Sequence, residues 1–334
     1  MRPFSHIPGS RAMIPGSSWI VEAYPTKINF IQESKVIPLT LGLQGPCVGF
    51  TLQQDLEKNQ VIIFGSFYNA RFVKIAIAHT THVIITLQKG DLIPYQLVEK
   101  KDIWHKKKSL VIGLDSINMS YLSQQKEKLF LGMHKQLNWP QVMQRMILRE
   151  ILPVLFTLGQ KIPPMNDNFP SIEMPKTEKE FDIFLRGRFH HLLLPTREDN
   201  NNLGLDLNPI EKSTPLKAIL RQSYEAIRNV FFQENQNEIE ILPLLSFFPQ
   251  FISGRMTSIH AHHAMIDIEW SKRKIKKISL RPKKDGPIFL KFPKQHTSYR
   301  LRNHPKEQKG SIMTIDMPIF LERGKIFFLD KFQK

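Results

Sequence analysis

Three close imidazoles in "IHAHHAM", His260, His262 and His263, form the most metal-like group in the chain, because neutral imidazole commonly ligates zinc and other transition metals. An i, i+2 pair on a strand projects to one side, which sets His260 beside His262. No cysteine or well-spaced carboxylate completes a ligand set, and Asp267 lies beyond an apolar pair. The pattern therefore favours surface or strand-edge imidazoles over a metal site.

A second group sits in "HHLLLPTREDNNNLGLD", where His190, His191, Arg197, Glu198, Asp199 and Asp206 surround a loop after a helix. Glycosidases use two carboxyl groups, one protonating the leaving oxygen and one acting as nucleophile or activating water. Glu198, Asp199 and Asp206 are the candidates for that work. Glu198 and Asp199 are adjacent, however, and Asn-rich turns collect acidic residues in any case, so the pattern favours a solvated loop over a catalytic pair. Arg197, Trp139 and Trp270 are the candidate ligand contacts. Indole rings stack on sugars, although burial as packing anchors is their commoner use.

The third group is a tract from Ser271 to Gly310 with fourteen Lys or Arg against two acids, interleaved with Phe292 and Tyr299. Such charge suits phosphate contacts, with aromatic rings to stack on bases. The lysines also alternate with Ile, Leu and Phe, as on a sheet with one wet face, and edge lysines discourage aggregation. No P-loop, GxGxxG, GxSxG or HExxH pattern is present, so neither nucleotide-driven chemistry nor a cofactor is indicated. Cys47, in "GPCVG", has no neighbouring base and reads as an inert thiol.

The elements that position these residues fall into three stretches. From Thr26 to about Ser120 come short β-rich runs, "KINFIQ", "KVIPLTLGL", "QVIIFGSF", "FVKIAIAH", "THVIITLQ" and "SLVIGLD", separated by turn residues as in a sandwich. Near Gln124 the pattern becomes helical. Asn138 caps and Pro140 opens a helix with Val142, Met143, Met146 and Ile147 on one face, which Pro153 should kink or end. "TEKE" from Thr177 to Glu180 reads as a capping box. Thr214 and Pro215 open the clearest helix, in which Leu216, Ile219, Leu220, Ile227, Val230 and Phe231 recur at helical spacing. Beyond Asn237 strands return: Ile266, Ile268 and Trp270 point one way and Asp267 and Glu269 the other. "SKRK" makes a turn, "IKKISL" the return strand, and "PIFLKF" and "KIFFLD" extend the same sheet.

The expected fold is thus α+β and multidomain: an N-terminal β-rich domain over 1–123, a reduced helical region over 124–235 and a C-terminal β-sandwich-like domain over 236–334. With 334 residues the chain can bury a sizeable core, and its net charge of +17 favours anionic partners. Lys, Ile, Phe, Asn and Gln are common, which an AT-rich genome also explains. No run reaches the roughly 20 apolar residues of a membrane span. The N-terminus breaks at Pro and Gly before any secretory h-region forms, and one cysteine excludes an intrachain disulfide. These features favour a cytoplasmic location and leave nonclassical secretion open.

The ordered series "EIEILPLL" from Glu238, Ser253 with Gly254, "IDIEW", a basic turn and "IKKISL" follows the helix from Pro215 to Phe232. This series resembles the C-terminal β domain of glycoside hydrolase family 95, the α-fucosidase group, over about 215–334. In that family the domain follows an (α/α)6 barrel preceded by a β-sandwich, so the resemblance implies a β, α, β order and a carbohydrate-related ancestry. The family's Arg-Gly-Gly ahead of its "E-W" strand is replaced here by "HAHHAM". Its acidic "D-G-N-F-G" segment has no counterpart, and the helical middle is too short for a complete barrel. The resemblance therefore assigns no catalytic residue.

The leading reading is a glycoside-hydrolase-derived, carbohydrate-related protein that binds or hydrolyses a glycan, glycosidase-like at most and degenerate. A non-enzymatic basic interaction or scaffold protein is the alternative from another class, and a nucleic-acid binder a third. A glycan or an acidic macromolecule is the expected partner, with no cofactor, no metal and no transmembrane segment.

Overall fold

The structure is a computed structural model that describes residues 4–32, 35–79, 82–97, 108–112, 127–132, 148–163, 177, 179–180, 216–236, 238–293 and 296–333. Strands dominate these residues. The protein has a β-rich, multidomain fold with sparse helical content. It divides into two compact units: Met1–Gln124 with Lys161–Asn166 and Leu185–Ile219, and Gln125–Gln160 with Asp167–Phe184 and Leu220–Lys334.

The first unit contains β1 (Phe4–Ser5), β2 (Ser10–Met13), β3 (Ile20–Ala23), β4 (Lys27–Gln32), β5 (Lys35–Leu41) and β6 (Val48–Asp55). It continues with β7 (Gln60–Phe67), β8 (Ala70–His79), β9 (Val83–Lys89), β10 (Tyr95–Leu97) and β11 (Ser109–Ile112). One sheet runs β1-β6-β7-β8-β9-β11 and the other β10-β5-β4-β3-β2. Alternation along the strands turns Val21, Phe30 and Leu39 from one sheet and Leu52, Ile63 and Ile77 from the other into one shared core. Each of the six β runs legible in the sequence contains a strand here.

The second unit starts with β12 (Lys128–Leu131), followed by α1 (Leu148–Gly159) and α2 (Leu216–Phe231), whose residues from Leu220 belong to this unit. Then come β13 (Phe232–Asn235), β14 (Glu238–Ile241), β15 (Gly254–His260), β16 (Ala264–Ser271) and β17 (Lys274–Pro282). The last strands are β18 (Gly286–Lys291), β19 (Ser298–Arg302), β20 (Ser311–Thr314), β21 (Ile319–Leu321) and β22 (Phe327–Gln333). A seven-stranded sheet runs β12-β15-β16-β17-β22-β19-β20, and a four-stranded sheet runs β13-β14-β18-β21.

Two local expectations change. "PIFLKF" does not extend the same sheet as "KIFFLD": β18 pairs in parallel with β14, whereas β22 lies beside β17. Strand periodicity fixes which side chains share a face but not which strand is the neighbour. Helix α1 continues through Pro153 to Gly159, and buried Leu152, Leu155 and Phe156 hold it where one backbone hydrogen bond is missing. Asn138, Pro140 and the apolar face assigned to 142–147 lie outside the described residues, as do Thr214 and Pro215 at the start of α2. The capping box is formed as expected, with Glu180 N–H donating to Thr177 Oγ1 at 3.2 Å and Thr177 N–H to Glu180 Oε2 at 3.3 Å.

Candidate functional site

The hairpin of β16 and β17 turns on Lys272 and Arg273, since Ser271 and Lys274 are register partners. Both turn residues are left-handed, with φ of 52° and 59°. Two-residue hairpin loops of this kind normally use Asn-Gly, because a Cβ in the left-handed region costs about 1–2 kcal/mol per residue. Here two cations stand at the sharpest point instead. A register shift between Glu269 and Trp270 makes Lys276 the extra residue of a β-bulge. Lys272, Lys274 and Lys276 are all exposed.

Arg273 joins this tip to a second loop. Its backbone N–H donates to the Ile252 carbonyl at 2.8 Å, and its guanidinium donates to the Ser246 carbonyl at 3.0 Å. That loop, "SFFPQFIS", alternates its burial: Phe248 and Phe251 are fully buried, while Phe247 is 54% and Ile252 39% exposed. Beneath it Phe248 stacks on Phe251, which contacts Phe231, which in turn stacks on Trp270 with centroids 5.3 Å apart. The two exposed side chains therefore stand on a rigid aromatic base. No Asp or Glu occurs from Ile241 to Ile266 or from Trp270 to Lys284.

The broad outer face of the same sheet is different in character. Cross-strand register lines up Phe130, Arg255, Glu269, Lys277, Asp330, Arg300 and Ile312 across seven strands, with charges alternating in sign. Opposite charges directly across strands attract, so this face is largely self-compensated. Asp267 in the next row accepts from Arg281 and Ser279 at 2.8 Å and from the N–H of Ser258 at 2.7 Å. Asp330 binds Arg300 Nε at 2.7 Å and Arg302 at 2.5 Å, and these hydrogen bonds, Arg300's first, hold its carboxyl below the usual carboxylate range.

The histidines lie at the opposite end from the tip. β15 stops at His260, and 261–263 form the turn into β16, so His260 and His262 do not share a strand. His260 N–H donates to Glu127 at 2.8 Å and His262 N–H to Glu234 at 2.7 Å. Lys284 Nζ lies 3.1 Å from His262 Nε2, which must accept because an ammonium only donates. Among the described residues no group of three or more His, Cys, Asp or Glu is placed to hold a metal ion. Trp270 is 1% exposed, its Nε1 donating to the Phe251 carbonyl at 3.1 Å, so its ring is an internal anchor. Trp139, Arg197, Glu198, Asp199 and Asp206 lie outside the described residues.

Two features had no clear signal in the sequence. Glu127 is buried and accepts from Tyr224 Oη at 3.1 Å, from Arg228 Nε at 3.0 Å and from the His260 N–H. Burial, with the Glu127 charge beside it, pushes the Tyr224 phenol up; Arg228 is also raised, Glu127 outweighing the opposing effect of burial. With both carboxylate oxygens engaged, Glu127 is a bracket between α2 and β15. Only the i, i+4 spacing of Tyr224 and Arg228 hinted at it. In the first unit, Tyr68 sits in the β7–β8 loop and is 81% exposed. Asn69 pins that loop, accepting from Gln44 N–H at 2.8 Å and donating to the Gly42 carbonyl at 3.0 Å.

No helix among the described residues is long and apolar enough to cross a membrane. Compared with known proteins, the chain matches no family model and no curated protein sequence.

Proposed function

We propose that the chain is a non-enzymatic interaction protein whose C-terminal unit engages an anionic partner through the β16–β17 tip. The observation that carries this reading is the left-handed Lys272–Arg273 turn. Strain of this kind persists where the surroundings over-determine it, and it points toward a role for the residues kept there. The exposed Lys272, Lys274 and Lys276 at this tip are the groups that would pair with an anion. Retention on immobilised polyphosphate should fall steeply with salt and weaken in Lys272→Ala/Lys274→Ala. Retention that the double variant leaves unchanged would sink the reading.

Tyr68 favours a second reading, the glycan-binding branch of the carbohydrate-related ancestry that the resemblance over 215–334 implies. A phenol displayed on a pinned loop offers a sugar ring a stacking platform at little entropic cost. A glycan array probed with the intact protein and with Tyr68→Ala tests it. Absence of any bound glycan, or binding that Tyr68→Ala does not alter, removes this reading. Hydrolysis would further require two carboxyl groups facing each other, and Glu198, Asp199 and Asp206 are the residues to replace in that assay.

A further inference from the structure

We propose that the tip and the loop beside it form a docking surface for an anionic lipid bilayer, with Phe247 and Ile252 entering the interface and Lys272, Lys274 and Lys276 meeting the headgroups. This rests on the anionic-partner reading and names the partner.

The two apolar side chains and the cations belong to one surface because Arg273 hydrogen-bonds both Ser246 and Ile252. An exposed Phe and an exposed Ile gain nothing from a purely ionic partner. They gain from one that offers apolar volume beneath its charge, and a bilayer interface does so: acyl boundary below, anionic headgroups above. A single-stranded nucleic acid would use Phe247 for stacking, but Ile252 has no π-face to offer a base. The acid-free sequence on both loops removes local repulsion of anionic headgroups. The stacked Phe248, Phe251, Phe231 and Trp270 beneath hold the surface in shape, so little ordering entropy is lost on docking.

The test is co-sedimentation of the full chain with vesicles of phosphatidylcholine alone and of phosphatidylcholine mixed with phosphatidylserine, beside polyphosphate beads and a single-stranded oligonucleotide. Binding to the mixed vesicles but not to phosphatidylcholine is expected. Each of Lys272→Ala and Lys274→Ala should weaken it about fivefold. Phe247→Ser with Ile252→Ser should weaken vesicle binding about tenfold or more while leaving polyphosphate retention unchanged. That unchanged retention also reports a folded surface. Binding to polyphosphate or oligonucleotide without vesicle binding overturns the bilayer inference and leaves the anionic-partner reading standing. Vesicle binding indifferent to the Phe247/Ile252 change overturns the insertion. Binding to none of the anionic probes overturns both.

Discussion

Gly254 and Trp270 are register partners on β15 and β16, and the edge of the indole lies where a Cβ on Gly254 would stand. Such a Cβ would also approach the Phe130 carbonyl on β12 to 2.6 Å. The glycine is therefore there to admit a ring and needs no left-handed backbone. Gly254→Ala should cost about 1–3 kcal/mol by overpacking. In a Trp270→Phe background the same change should cost less, because the two sites share one volume. Urea denaturation of the four proteins gives the coupling, and strict additivity would contradict the packing explanation.

Buried Glu127 pairs with the partly buried Arg228, so removing one partner leaves the other charge uncompensated. Glu127→Gln should destabilise the protein by about 3–5 kcal/mol. Replacing both residues together, as Glu127→Leu/Arg228→Met, should cost less than the single change. A double variant worse than either single one would argue against the bracket.

Asp330 orients two arginines that reach the 303–310 loop: Arg300 donates to the Gln308 carbonyl at 2.7 Å and Arg302 to that of Pro305 at 2.6 Å. Asp330→Asn should speed amide exchange in that loop and cost about 1–3 kcal/mol at neutral pH. The Asp330 carboxyl titrates lower in the folded chain than in the unfolded one, so its stabilisation is full above about pH 4 and is lost as pH falls through the folded value. The variant should lack that acid-dependent component.

His296 is 3% exposed and lies beside Phe332, with ring centroids 5.5 Å apart. Burial pulls the imidazole below its ordinary value, the nearby Lys274 charge adds to this, and the Gln333 backbone opposes it. With the folded value depressed, stability is full above about pH 6.5 and declines as pH falls through the folded value. His296→Phe should flatten that decline. Denaturation midpoints that fall equally in both proteins between about pH 7 and about pH 5 would exclude His296 as the cause.

Replacing the turn with Lys272→Asn/Arg273→Gly should relieve the left-handed strain and stabilise the hairpin by about 1 kcal/mol or more, while weakening binding to anionic vesicles. Higher stability with undiminished binding would separate the strain from the function proposed for it.

Local chemistry settled what local pattern can settle. Alternation in "IDIEW" tells which side chains of β16 face inward, helical spacing marks α2, and "TEKE" spells the separate Thr177–Glu180 capping box, because each depends on residues a few positions apart. No local period in "SFFPQFIS" divides it into buried Phe248 and Phe251 and displayed Phe247 and Ile252. Tertiary structure alone put β18 beside β14, joined Glu127 to Tyr224 and Arg228, and set the 246–252 loop against the Lys272–Arg273 turn. It also made Gly254 the space that admits the Trp270 ring. Each of these joins residues distant along the chain, and strand register and core packing that no local period encodes decide them.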